Sequence, residues 1–196
     1  MDAFAILGLD RGPWIEPDKL QEHYLKAVKD AHPDQNQSES TSSDDAAQIN
    51  EAHQVLANPA NRLAHFVQLE TEQDITKSRQ VPEPLVELFM RLGPLFQQCD
   101  QLIRNIKEAD SNILKARQFV AAGPVLQSLN EIQEQINQTL QASHGRLKSL
   151  HENWISSKAP DRTQLLNAMG SEYGTLSYLQ RWRDTINEKT FELTPS

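Results

Sequence analysis

The triplet His32-Pro33-Asp34 places an imidazole and a carboxylate two residues apart, and such a pair could act as a general base and the group that orients it. No nucleophile accompanies the pair, because the chain has no G-x-S-x-G sequence. A spacing of two residues across a proline, at the start of a polar stretch, does not hold the two groups at a fixed distance. We therefore expect no catalysis here and interpret the chain as a protein without enzymatic activity.

The other histidines and the cysteine do not predict a metal site. The stretch HENWI at 151–155 begins like the zinc-protease sequence H-E-x-x-H, but Ile155 occupies the place of the second ligand. Cys99 is the only cysteine, so it cannot form an internal disulfide or supply the four thiolates of an iron–sulfur cluster. It also lies on an apolar helical stripe, which favours a core position. We expect no metal and no cofactor.

The composition favours a soluble helical protein. Only 6% of the residues are aromatic and only 7 are glycine, so the residue types that fill strands and tight turns are scarce. A net charge of −8 opposes binding to nucleic acid. No apolar run is long enough to span a membrane, and the N-terminus lacks the features of a signal peptide. The sequence predicts an all-α, cytoplasmic protein that binds neither nucleic acid nor membrane.

Capping residues divide the first part of the chain into short helices. Asp2 caps the first helix, Pro17 suits the first turn of the second, and Asn58-Pro59 begins the last. The stretch QNQSESTSSDD at 35–45 has no large apolar side chain, so we expect a loop there and Ser43 as the next N-cap. The predicted helices span 3–7, 18–31, 44–57 and 59–70.

The second part of the chain carries long apolar stripes at helical spacing. Residues 72–84 lose this periodicity and are interpreted as a linker. A short apolar segment then precedes Gly93-Pro94, and a stripe follows from Leu95 to Val120. Gly123-Pro124 and SSKAPD are interpreted as the breaks that separate three long helices. Short breaks between long stripes predict an antiparallel helical bundle.

The N-terminal features together resemble a J-domain, the module by which co-chaperones stimulate DnaK-type ATPase chaperones. They are a short helix ending in ILGL, a second helix with lysines on its free face, His-Pro-Asp at the end of that helix, a polar loop, and a third helix followed by LANPANR. The stretches MDAFAILGL, HPD and INEAHQVLANPANRLAHFVQLE are similar to the HscB family. No C-x-x-C pair is present, which separates the chain from DnaJ proteins with zinc-binding repeats.

The resemblance implies a J-domain over 1–71, a linker over 72–84 and a C-terminal antiparallel three-helix bundle over 85–196. In the HscB family the J-domain engages a DnaK-like chaperone, HscA, and the bundle carries the iron–sulfur scaffold protein IscU to it. For this chain the resemblance and the exposed helix face together imply a chaperone-binding surface. Its residues are His32, Pro33, Asp34, Lys19, Lys26 and Lys29.

The client-binding residues are expected at the start of the bundle. Gly93-Pro94 would let this segment diverge from the stripe that follows and leave apolar side chains uncovered. The candidates are Leu85, Leu88, Phe89 and Leu92. The alternative is that all four residues pack in the core, since an apolar helical face is usually buried.

Two other functions remain open from the sequence. A J-domain protein of the same architecture could recruit the chaperone to a client other than an IscU-like scaffold. A cytosolic hydrolase is a distant third, because no nucleophile is evident.

Overall fold

The computed structural model describes residues 1–31, 39–72, 74–77, 80–157 and 162–195, with the backbone alone at 39–43. These residues form seven α-helices and two short 3-10 turns, and no strand occurs among them. The expectation of an all-α fold is confirmed. The helices are α1 (Ala3–Ile6), α2 (Pro17–Asp30), α3 (Glu39–Ala57), α4 (Pro59–Thr71), α5 (Val86–Glu108), α6 (Asn112–Ser156) and α7 (Arg162–Leu193).

The predicted caps of the first and the last of the N-terminal helices are confirmed. The Asp2 side chain accepts the backbone N–H groups of Phe4 and Ala5 at the start of α1. The Asn58 side chain accepts those of Ala60 and Asn61 at the start of α4, where Pro59 occupies the first helical position. These side chains satisfy N–H groups that have no partner within their own helix.

Three expectations about helix boundaries are wrong. Helix α3 begins at Glu39, so the last part of the expected loop at 35–45 is helical and Ser43 is not its N-cap. Helices α5 and α6 run without interruption through Gly93-Pro94 and Gly123-Pro124. Both prolines are on exposed faces of their helices. The carbonyl groups that lose a hydrogen-bond donor belong to exposed residues one turn earlier, so water can satisfy them.

The true break between the first two long helices lies at 109–111. There the Ser111 hydroxyl accepts the N–H of Leu114 and caps α6. The stripe predicted from Leu95 to Val120 therefore belongs to two helices, and Val120 itself is 79% exposed. Ile113 of the same predicted stripe is also exposed, at 77%, whereas Leu95 is buried and Cys99 is fully buried, as expected.

The chain divides into two compact units. Unit 1 comprises Met1–Ser78 and Gly145–Tyr173, and unit 2 comprises Arg79–His144 and Gly174–Ser196. The core of unit 1 contains fully buried side chains from α1, α3, α4 and from the adjoining ends of α6 and α7. They are Phe4, Leu56, Leu63, Phe66, Leu147 and Met169.

Unit 2 is a bundle of three helical segments. Gln133 of α6 donates to Asn187 of α7, and Arg91 of α5 donates to Gln135 of α6. The middle of α6 therefore contacts the beginning of α5 and the last turns of α7, so the three segments lie side by side. The antiparallel three-helix bundle is confirmed as the fold of the C-terminal region.

Candidate functional site

One face of helix α2 packs against the rest of unit 1. Leu20 is buried, and the Tyr24 hydroxyl donates to Asn50 Oδ1 of α3 over 2.9 Å. The Tyr24 ring also stacks on His53 of α3, with the ring centroids 4.1 Å apart. In the middle of the helix, His23 Nδ1 lies 2.9 Å from the carbonyl oxygen of Leu7. These contacts leave the opposite face of α2 in solvent.

The three lysines predicted to bind the chaperone are on this solvent face. Lys19, Lys26 and Lys29 are all exposed, and their spacings of seven and three residues place them on one side of the helix. Asp18 and Glu22 are exposed on the same helix, so the face carries both charges. This surface can attract an acidic partner and can also reject partners whose charges do not match.

The expected chaperone-contact triplet His32-Pro33-Asp34 lies outside the described residues. Helix α2 ends at Asp30, and Ala31 is its C-cap, with an N–H that donates to the carbonyl of Ala27. The last helical residue is therefore three positions before the proline, which agrees with the prediction that the proline ends this helix.

The N-terminal helix is fixed by a cluster around Asp2. The Arg11 guanidinium contacts the Asp2 carboxylate at 2.6 Å. Partial burial acts to raise the pKa of Asp2, but the hydrogen bonds from Arg11 and from the backbone of Ala5 and Phe4 outweigh it, and the pKa is lowered. The ion pair and the cap together hold α1 against the rest of unit 1.

A cavity of about 550 Å³ in unit 1 was not expected from the sequence. The Trp14 indole donates to Glu16 Oε1, and Lys148 of α6 lies 3.0 Å from the same carboxylate. His151 also lines this cavity, and its Nδ1 is buried with no hydrogen-bond partner among the described residues. Burial lowers the pKa of His151, and the positive charges of Lys19 and Arg62 lower it further, against the opposing effect of Glu152. The cavity thus favours neutral His151.

The four predicted client-binding residues do not form one surface. Leu85 and Leu92 are 3% and 1% exposed, and Leu88 is half-buried. Phe89 is 47% exposed, with its ring stacked on Trp182 of α7. Leu85 and Leu92 therefore occupy core positions, which was the alternative expectation for these residues.

Two neighbouring residues missed by the sequence reasoning extend the exposed part of this segment. Val86 is 45% exposed and Met90 is 68% exposed. We call Val86, Phe89 and Met90 the α5 patch. The spacing of three and four residues that indicated a buried face applies equally to this exposed face, so the sequence could not separate the two.

The described residues contain neither a candidate metal cluster nor a helix able to cross a membrane. No group of three or more His, Cys, Asp or Glu side chains in the described ranges could hold a metal ion. Within those same ranges, every helix is too short or too polar to span a bilayer.

Comparison with known proteins identifies the N-terminal region. Residues 2–65 match the DnaJ domain family. The chain carries a J-domain. A J-domain implies an Hsp70-type chaperone as the partner, so this protein is a J-domain co-chaperone. No sequence among the curated proteins matches the chain significantly.

Two solved structures resemble the whole chain. Chaperone HscB from Vibrio cholerae has a TM-score of 0.56 and 16% sequence identity, and the match covers 99% of this chain and 100% of that one. The human co-chaperone protein HscB has a TM-score of 0.55 and 14% identity, with 96% of this chain and 82% of that chain covered. The resemblance to HscB is confirmed at the level of the fold.

Proposed function

We propose that this J-domain co-chaperone stimulates the ATPase of a DnaK/HscA-type chaperone and delivers an IscU-like iron–sulfur scaffold protein to it. The J-domain over 1–71 acts on the chaperone. The region over 85–196, after a linker at 72–84, carries the scaffold. The cluster is cargo of the scaffold, and this chain needs no cofactor of its own. A reducing compartment, the cytoplasm, suits the free Cys99 thiol.

The observation that carries the proposal is the position of the α2 lysines within a J-domain. Lys19, Lys26 and Lys29 are exposed on the helix that directly precedes His-Pro-Asp, and residues 2–65 match the DnaJ domain family. In this arrangement the lysines steer association with an acidic chaperone surface, and His32, Pro33 and Asp34 act together as a contact unit.

The ATPase activity of the cognate DnaK-type chaperone tests the first half of the proposal. His32→Gln removes a side chain of the contact unit, so we expect stimulation of ATP hydrolysis to disappear while the circular dichroism spectrum is unchanged. Lys26→Glu should slow association at low salt more than at physiological salt, because screening weakens steering. Lys115→Glu, with the same change of charge on α6, is the matched control. Full stimulation by His32→Gln contradicts the proposal.

Cluster transfer tests the second half. An IscU-like scaffold loaded with an iron–sulfur cluster should pass it to an acceptor faster when this chain, the chaperone and ATP are all present. The support for this client is the HscB-like fold and the exposed α5 patch. Stimulation of the ATPase without any effect on cluster transfer would mean that the chain serves a different client.

A further inference from the structure

The first two turns of α6 project their side chains into solvent on every side. All residues from 111 to 117 are exposed, and the first buried residue of the helix is Ala122. Ile113 is 77% exposed and Val120 is 79% exposed, and both lie on the side of the helix away from Ala122. Arg117 lies between them, four residues after Ile113 and three before Val120. We call Ile113, Arg117 and Val120 the basic stripe.

The last turns of α7 carry a stripe with the same spacing and the opposite charge. Asp184, Glu188 and Phe191 follow one another at four and three residues, so they share one side of the helix. Phe191 is 82% exposed, and Glu188 is also exposed. Asp184 lies 3.9 Å from the guanidinium of the adjacent Arg183. We call Asp184, Glu188 and Phe191 the acidic stripe.

The two stripes lie towards the same end of unit 2. Lys107, in the last turn of α5, contacts Glu192 of α7 at 2.7 Å. Helix α6 begins at Asn112, only a short turn after α5 ends. Neither Arg117 nor Glu188 has an ion-pair partner within the part of the chain that the structure describes. The two stripes therefore carry opposite charges and lie close together, yet Arg117 and Glu188 do not pair with each other within one chain.

From this complementarity we propose that the end of unit 2 is a self-association surface, whose occupant is a second copy of this chain. The basic stripe of each copy packs against the acidic stripe of the other. A two-fold axis makes this contact twice, because each copy offers both stripes. In each contact the two helices run antiparallel, so that Ile113 covers the Phe191 ring and Arg117 pairs with Glu188 and Asp184. In this orientation the equal spacing on the two helices lets Ile113 face Phe191 and Arg117 face Glu188, over roughly 10 Å of helix.

The size of the surface predicts a weak, reversible dimer. Each stripe covers about two helical turns, which is less than the roughly 800 Å² per partner of a standard stable interface. Two copies of the contact and the long reach of Arg117 support association, but we expect a dissociation constant above about 1 µM. Added salt should weaken it, because the charged groups are exposed.

Sedimentation velocity of the full chain, from about 1 µM to about 1 mM, tests the proposal directly. The sedimentation coefficient of the wild type should rise with concentration to that of a dimer. Arg117→Glu puts like charges opposite one another at both contacts, so we expect the dissociation constant to rise by more than about tenfold. Lys115→Glu is the matched control, because Lys115 has the same charge and helix but lies on a different side.

Exchanging the charges of Arg117 and Glu188 tests whether the two stripes contact each other in a second copy of the chain. Glu188→Arg should weaken association as Arg117→Glu does, whereas the chain with both changes regains opposite charges at each contact and should dimerise again. Circular dichroism should be unaltered for all variants, because both positions are exposed. A wild type that stays monomeric across the whole range overturns the proposal. Loss of association with Lys115→Glu, or no recovery in the double variant, also overturns it.

Discussion

The guanidinium of Arg62 donates to the backbone carbonyl of Leu56 over 2.8 Å, although Arg62 is only 3% exposed. The same side chain lies 3.3 Å from the carbonyl of Pro13 and beside the Trp14 ring. Burial lowers the pKa of Arg62 to about 10, so the group is still charged at neutral pH. Arg62 thus links α4 to the end of α3 and to the loop before α2.

Replacing Arg62 should destabilise the J-domain protein. Arg62→Met keeps much of the volume but leaves the carbonyl groups of Leu56 and Pro13 without their donor. We expect the free energy of unfolding in urea to fall by about 2–4 kcal/mol. Arg91→Met, at an exposed arginine, is the matched control and should change it by less than about 0.5 kcal/mol. A loss as small as that of the control would show that water replaces the guanidinium.

Stability should depend on pH through His65. Its Nε2 accepts the backbone N–H of Ala3 over 3.1 Å, and a protonated ring cannot accept this bond. Burial lowers the pKa of His65; the charge of Asp2 opposes this, and the N-terminal amine and Arg11 reinforce it. Between the lowered folded pKa and the ordinary value near 6.5, the unfolded chain binds more protons than the folded one. The free energy of unfolding must therefore fall as the pH falls through this window.

Urea unfolding at about pH 7 and about pH 5 measures the effect. His65→Gln retains an acceptor but does not titrate, so we expect its stability to fall less on acidification than that of the wild type. His151→Gln should also reduce the fall, because the pKa of His151 is shifted in the same direction. An unchanged pH dependence in His65→Gln would mean that His65 does not carry this linkage.

Gly12 should be coupled to His151 across unit 1. A Cβ atom at position 12 would lie 2.5 Å from both Cε1 and Nδ1 of the His151 ring. Gly12→Ala must therefore displace the ring, and we expect a loss of about 1–3 kcal/mol in the free energy of unfolding. In a His151→Ala background the same change should cost clearly less, which a double-mutant cycle measures. Equal costs in the two backgrounds would show no coupling.

Local signals in the sequence predicted the N-terminal part of the J-domain protein well. Asp2 and Asn58 cap the helices as expected, because capping depends on a few adjacent residues. The exposed lysines of α2 were also predicted, since the apolar face of that helix is clear. The helix breaks predicted at the glycine-proline pairs 93–94 and 123–124 are wrong, because the freed carbonyl groups belong to exposed residues and the helices continue.

Contacts between distant segments could not be predicted. Residues 145–173 belong to the same compact unit as the N-terminal helices, and Trp154 packs edge-on against Phe66, with ring centroids 5.2 Å apart. The sequence shows that Trp154 lies on an apolar stripe but not which surface covers it. Likewise, Leu92 and Met90 differ by only two positions, yet one is buried and the other exposed. Periodicity finds the faces of a helix, but the neighbouring helices decide which face is covered.

The contrast between exposed Met90 and buried Leu92 allows a test of the client surface. Met90 is 68% exposed and belongs to the α5 patch, so Met90→Ser removes apolar contact area without opening the core. We expect it to weaken binding of an IscU-like scaffold by about tenfold, in line with the loss of one central apolar anchor. The free energy of unfolding should change by less than about 0.5 kcal/mol. Isothermal titration calorimetry and urea unfolding measure the two quantities.

Two controls separate binding from folding. Ile155→Ser removes an apolar side chain of similar exposure from unit 1, and it should leave scaffold binding unchanged. Leu92→Ser places a hydroxyl in the core of unit 2, where Leu92 is only 1% exposed, and should cost more than about 2 kcal/mol of stability. If Met90→Ser and Ile155→Ser both bind the scaffold like the wild type, the α5 patch is not the client surface. If Met90→Ser alone loses affinity while ATPase stimulation is retained, client binding and chaperone activation reside on separate surfaces of the protein.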